Sequence, residues 1–157
     1  MTQDVGADID AVDAALVDAS FLARMAELPK LGSADVLTQE RDGAIVRQQV
    51  RYLFRAELSA AVTAVVDPDR LTWVEQSVCD LAVHRTSCVI KPDHYANLLA
   101  GHYDAVLATT GEWTRRTITG SIKVRMPLVG GKVERAIVSG LTENAVAQEG
   151  LLTAWLR

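Results

Sequence analysis

Apolar and polar side chains alternate along residues 44–55: Val46, Val50, Tyr52 and Phe54 share one face, and Arg47, Gln49, Arg51 and Arg55 the other. This is the pattern of an antiparallel strand with one face on a core and one in water. The same period of two returns over 113–128, where Ile118, Ile122, Val124, Met126 and Leu128 oppose Thr117, Thr119, Ser121, Lys123 and Arg125. Gly120 interrupts the apolar face, as a bulge, a bend or close approach of another backbone would. Shorter runs at 34–40, 71–79, 83–91 and 103–109 read as further strands, and residues 2–10 as an edge strand. Asp42-Gly43 is a hairpin signal, Asp67-Pro68-Asp69 and Thr110-Gly111 are turns, and 92–99 reads as loop.

Two segments carry the helical period instead. Over 11–28, Val12, Leu16, Ala19, Leu22 and Met25 recur at spacings of three and four. Asp18-Ala19-Ser20 divides this segment into two short helices, because Asp and Ser favour N-caps. From Gly131 to the end, Val133, Ile137, Leu141, Ala145 and Leu152 form a stripe joined by Trp155. Such a helix is about 39 Å long. Residues 56–66 predict a short helix or packed loop. Strands and helices kept apart in the chain predict an α+β fold with an antiparallel sheet rather than βαβ units.

The chain of 157 residues suits a single domain, 1–157. Apolar residues make up 49% and charged residues 23%, which argues against disorder. A net charge of −4 with no Lys/Arg cluster argues against a nucleic-acid partner. No apolar run approaches the ~18 residues of a membrane span, and no leader pattern is present, so a cytoplasmic location is expected. Cys79 and Cys88 are then expected to be reduced and buried. Nothing in the sequence sets the oligomeric state.

The junction "MPLVGGKVERAI" (126–137) poses a choice between a phosphate loop and a bend. A phosphate loop needs G-x-x-x-x-G-K-[ST], but here Lys132 is followed by Val133. The glycine pair is expected to supply the backbone angles of a sharp strand-to-helix turn, with Pro127 at the strand's end.

"SIKVRMPLVGGKVERAI", followed by a helix ending in "LLTAWL", resembles the START-like superfamily, which includes polyketide cyclases and the birch-pollen-allergen relatives. Within it, the C-terminal half is similar to a bacterial START-like family of unknown function. "ADIDA" and "ALVDASFLARM" resemble the superfamily's first strand running into two small helices. The resemblance implies a helix-grip fold: a curved antiparallel sheet of six to seven strands gripping the long helix, with an apolar cavity between. It carries over no catalytic residues.

Small and polar residues in the middle of the helical stripe also suggest space beneath it. Gly140, Asn144 and Gln148, with Ile137 and Leu141, are the expected ligand-binding positions on the helix. Tyr52, Phe54, Trp73, Tyr103, Ile118 and Ile122 are those on the sheet, and 56–66 is a candidate lid. His84, placed on a strand facing the cavity, is a candidate acid/base. Glu75, in "LTWVEQSV", is another if burial raises its pKa, with Arg85 a possible partner. No H-x-x-x-H or C-x-x-C spacing occurs, so no metal and no cofactor are expected. Three functions fit: a binding protein for an apolar small molecule, a cyclase/aromatase-type enzyme, or a protein-interaction module with a filled core.

Overall fold

The computed structural model describes residues 1–55 and 57–157. Seven strands form one antiparallel sheet: β1 (Thr2–Val5), β2 (Leu31–Asp42), β3 (Ile45–Phe54), β4 (Thr72–Asp80), β5 (Arg85–Pro92), β6 (Leu99–Thr110) and β7 (Trp113–Val124). Their spatial order is β1-β7-β6-β5-β4-β3-β2. Strands β2 to β7 are therefore a meander, and β1 closes the far edge by pairing with β7. The helices are α1 (Ile9–Leu16), α2 (Ala19–Arg24), α3 (Ala60–Thr63) and α4 (Gly130–Trp155). This is the helix-grip arrangement, α+β, with a curved sheet around the long α4.

The break between the first two helices has its cause in Asp18. Its carboxylate accepts from the backbone N–H groups of Ser20 (2.7 Å) and Phe21 (3.1 Å) and so starts α2. Asp8 does the same for α1 through the Asp10 N–H, at 2.9 Å. Each such cap contributes about 1 kcal/mol.

Several strand boundaries differ from those expected. β2 starts at Leu31 and carries irregularities at Leu31/Ser33 and Val36/Thr38, which bend a strand while keeping it paired. β6 begins at Leu99, inside the expected loop. β5 starts at Arg85, because His84 occupies the β4–β5 turn with φ 54. The corresponding positive φ in the other two tight turns falls on Gly43 and Gly111.

β7 ends at Val124, four residues before its expected end. Met126 and Leu128 belong to the turn, where Leu128 takes φ 66 and is fully exposed. The left-handed backbone therefore falls on Leu128 rather than on the glycine pair. Gly130 matters for a different reason: a Cβ there would lie 2.9 Å from the Val124 carbonyl oxygen. The first amides of α4 are also engaged. Gly130 N–H donates to Met126 O, and Lys132 and Val133 N–H donate to Val129 O. Glu134 reaches back to accept from the Val124 N–H at 3.1 Å. The junction is a bend that lays the helix onto the sheet.

The buried stripe of α4 is Gly130, Val133, Ile137, Gly140, Asn144, Gln148 and Leu152. Leu141 and Ala145 flank it, half-buried. At the C-terminal end of α4, Leu152 joins a cluster that includes Val5, Val12, Phe21 and Met25. At the N-terminal end, Val133 and Ile137 pack with Phe54, Val62 and Val66. Fully burying a side chain such as Phe21 or Leu152 is worth about 1.5–3 kcal/mol. Among the described residues, no helix is long and apolar enough to cross a membrane.

A candidate ligand cavity

Between the two clusters lies a cavity of about 440 Å³, within the roughly 300–1,000 Å³ of small-molecule sites. Inward-facing residues of the sheet reach it in register: Tyr52 opposite Trp73, Val50 opposite Glu75, Gln48 opposite Ser77. A filled core, which the interaction-module hypothesis requires, is not what the fold contains. Its opening lies along β7. β1 covers β7 only as far as Thr117, with Met1 bonded to Ile118. Beyond that, Thr119, Gly120 and Ser121 on the strand and Val138 on α4 are exposed lining residues.

Of the expected ligand-binding positions, Tyr52, Trp73, Tyr103, Ile118, Ile122, Leu141, Asn144 and Gln148 line this cavity. Phe54 and Ile137 line an adjoining hollow of about 40 Å³ instead. Gly140 lines neither. A Cβ built on it would sit 2.5 Å from two atoms of the Phe54 ring. The room that Gly140 leaves is taken by Phe54, so the glycine marks close packing and not the expected space for a ligand. Gly120 is also a close approach: its Cβ would lie 2.6 Å from Tyr103 Cβ. The 56–66 segment does not cover the cavity within its described residues. Val62 and Val66 are buried in the Phe54 cluster, and Ala56 lies outside the described residues.

Of the two acid/base candidates, Glu75 is in the cavity wall and His84 is not. Glu75 accepts from Tyr103 Oη–H at 2.9 Å and from Trp73 Nε1–H at 3.3 Å. Burial pushes its carboxyl above the ordinary range, opposed by those two bonds and by the charge of Arg116. Burial, with Glu75 nearby, likewise holds the Tyr52 and Tyr103 hydroxyls protonated. Arg85 is not Glu75's partner: it lies across from Asp80, whereas Glu75 faces Ile90. His84, expected on a strand facing the cavity, sits in its turn with Nδ1 2.5 Å from Asp13 Oδ2 on α1. Burial raises the Asp13 carboxyl, and the bond to His84 opposes that rise. This pair ties α1 to the turn.

Arg116 and Gln48 line the cavity but were not among the expected positions. Arg116 has the same parity on β7 as Ile118 and Ile122, and Gln48 the same parity on β3 as Val46 and Val50. A polar residue at an inward-facing position was the signal. Arg116 is only 7% exposed. Its Nη1 donates to Gln3 Oε1 (3.0 Å) and Gln148 Oε1 (2.9 Å). Gln3 Nε2 donates in turn to Ala145 O and Gln148 Oε1. Asn144 Oδ1 accepts from the Lys30 N–H at 2.9 Å. Among the described residues, two buried donors, Arg116 Nε–H and Asn144 Nδ2–H, have no hydrogen-bond partner. Cys79 and Cys88 are buried and not joined in a disulfide, and burial pushes both thiols up.

The fold has solved counterparts. A protein of Thermus thermophilus superposes with a TM-score of 0.72 at 18% identity, covering 99% of this chain and 94% of that one. The Zhui aromatase/cyclase of Streptomyces sp. R1128 gives 0.68 at 17% identity, covering 99% and 90%. A START superfamily protein of Mycobacterium smegmatis gives 0.60 at 12% identity, covering 99% and 96%. At such identities the likeness establishes the START-like fold alone. A search among curated proteins by sequence finds no match. A family model matches residues 1–156, and the chain belongs to that family, described as protein of unknown function (DUF2505).

Proposed function

We propose that this protein binds a hydrophobic or amphipathic small molecule in the cavity between sheet and α4. The observation that carries this is a cavity of about 440 Å³ whose wall is largely apolar but holds a few inward polar groups. Burying roughly 200 Å² of apolar ligand surface there is worth about 5 kcal/mol before the costs of association. Trp73, Ile118, Ile122 and Leu141 supply that surface, while Tyr52, Asn144 and Gln148 orient the ligand. We take the site of action to be the cytoplasm, which suits thiols at Cys79 and Cys88 that are not joined in a disulfide.

A second reading is an aromatase/cyclase-type enzyme. Glu75, its carboxyl raised by burial and bonded to the Tyr103 hydroxyl, favours it. In that case Glu75 moves a proton on a bound, reactive chain. The two readings part at Glu75→Gln, which leaves a binding protein's uptake in place and abolishes turnover by an enzyme.

Native mass spectrometry of the purified protein tests the primary reading, with added decanol as a neutral apolar probe. Bound decanol, or a co-purifying lipid-like mass, is the expected result. An apo mass that takes up no decanol would overturn it.

A further inference from the structure

Arg116 is a buried cation with no anion in contact. Among the described residues it belongs to no ion pair. Its partners, Gln3 and Gln148, are neutral amides. A buried charge that meets only neutral dipoles is costly, and an anion in hydrogen-bond contact offsets that cost. Glu75 feels the charge of Arg116 but makes no ion pair with it, its carboxyl being bonded to Trp73 and Tyr103 instead.

The second orphan donor, Asn144 Nδ2–H, belongs to another residue of the cavity wall. Asn144 is one helical turn from Gln148, so the two side chains are neighbours on the same face of α4. Gln148 is itself bonded to Arg116. Arg116 and Asn144 therefore both line the cavity, and their free N–H groups can only donate. A neutral carbonyl would use these donors but leave the charge uncompensated. A carboxylate on Arg116 would accept its donor and neutralise the charge. Along β7 from Arg116 the wall offers apolar side chains, while Glu75 and Tyr103 line it on β4 and β6. Ile122 lies six residues along β7 from Arg116, about 20 Å in a strand, with Ile118 between them and Leu141 across on α4.

We infer that the ligand is an apolar monocarboxylate, its carboxylate held by Arg116 and its hydrocarbon body lying along Ile118, Ile122 and Leu141. This rests on the cavity being a ligand site. A straight chain and a fused ring present the same carboxylate head, and the test below uses one of each.

The test is calorimetric titration of the full chain with decanoate and with decanol, then with naphthoate and with naphthylmethanol. The wild type is expected to bind at least one acid about tenfold or more tighter than its matching alcohol, the size of a charged hydrogen-bonded contact. Arg116→Gln should erase that preference. Asn144→Asp keeps the oxygen that accepts from the Lys30 N–H but turns the free donor into an anion, so it should weaken the acid selectively. Alcohols bound as tightly as their acids by the wild type would overturn the carboxylate while leaving the cavity reading intact. A preference that survives in Arg116→Gln would do the same. Uptake of neither acids nor alcohols would overturn both. If Arg116→Gln does not fold, the wild-type pairs and Asn144→Asp decide the matter.

Discussion

The two halves of the inward face of α4 behave in opposite ways. In the N-terminal half, Val133, Ile137 and Gly140 lie against Phe54, Val62 and Val66 and leave a hollow of only about 40 Å³. In the C-terminal half, Asn144 and Gln148 face a cavity with two unpartnered donors. Both halves look alike in sequence, since each replaces bulky residues with small or polar ones. The difference lies across the gap. Where a glycine meets a large ring from β3, the small residue makes room for packing. Where buried amides face small and polar strand residues, the space stays open.

The strongest way to break this comparison is Gly140→Leu. A side chain there collides with the Phe54 ring, so overpacking should cost about 2–3 kcal/mol in urea denaturation. Adding Phe54→Ala should recover part of the loss. Wild-type stability in the single variant would contradict the packed half. In the open half, Gln148→Leu removes the oxygen that accepts from Arg116 and Gln3. It should cost about 1–3 kcal/mol, the penalty of a buried polar group left short of partners, and should lower decanoate uptake as well.

Glu75→Gln sharpens the comparison through pH. Burial raises the native carboxyl above its ordinary value of 4.5. The native state then holds this proton more tightly than the unfolded chain, so the contribution of Glu75 to stability falls as pH rises from 4.5 through the raised native value. The variant lacks this loss. It should gain on the wild type with rising pH, and the difference should level off below pH 4.5. Melting temperatures that run parallel across pH would contradict a raised Glu75.

The smallest effect expected is that of His84→Ala. Loss of the bond to Asp13 should cost about 1 kcal/mol and leave decanol uptake unchanged, since His84 is outside the cavity wall. Reduced uptake would place His84 in the ligand's path after all.

Much of this was legible in the sequence, for a definite reason. β3 and β7 alternate because one face meets water and the other a core, and parity alone placed Tyr52, Ile118 and Ile122 inward. The same parity marks Arg116 as inward, but a charged residue there runs against the ordinary pattern of burial. The β4–β5 turn was illegible because His84, without glycine's freedom, takes its left-handed backbone. The end of β7 was obscured in the same way by Leu128. Gly140 misled because sequence gives a residue's size but not its neighbour across the fold. What filled that space was Phe54, distant in the chain and brought there by the sheet.

The most direct test of the central claim is a methyl spectrum of the isoleucine-labelled protein during titration with decanol. Of the six isoleucines, Ile90, Ile118 and Ile122 line the cavity, while Ile9 and Ile45 lie elsewhere. Binding in the cavity predicts that the first three methyls shift together along one saturating curve while Ile9 and Ile45 hold still. Shifts at Ile9 or Ile45, or no saturable shift at the cavity methyls, would contradict it.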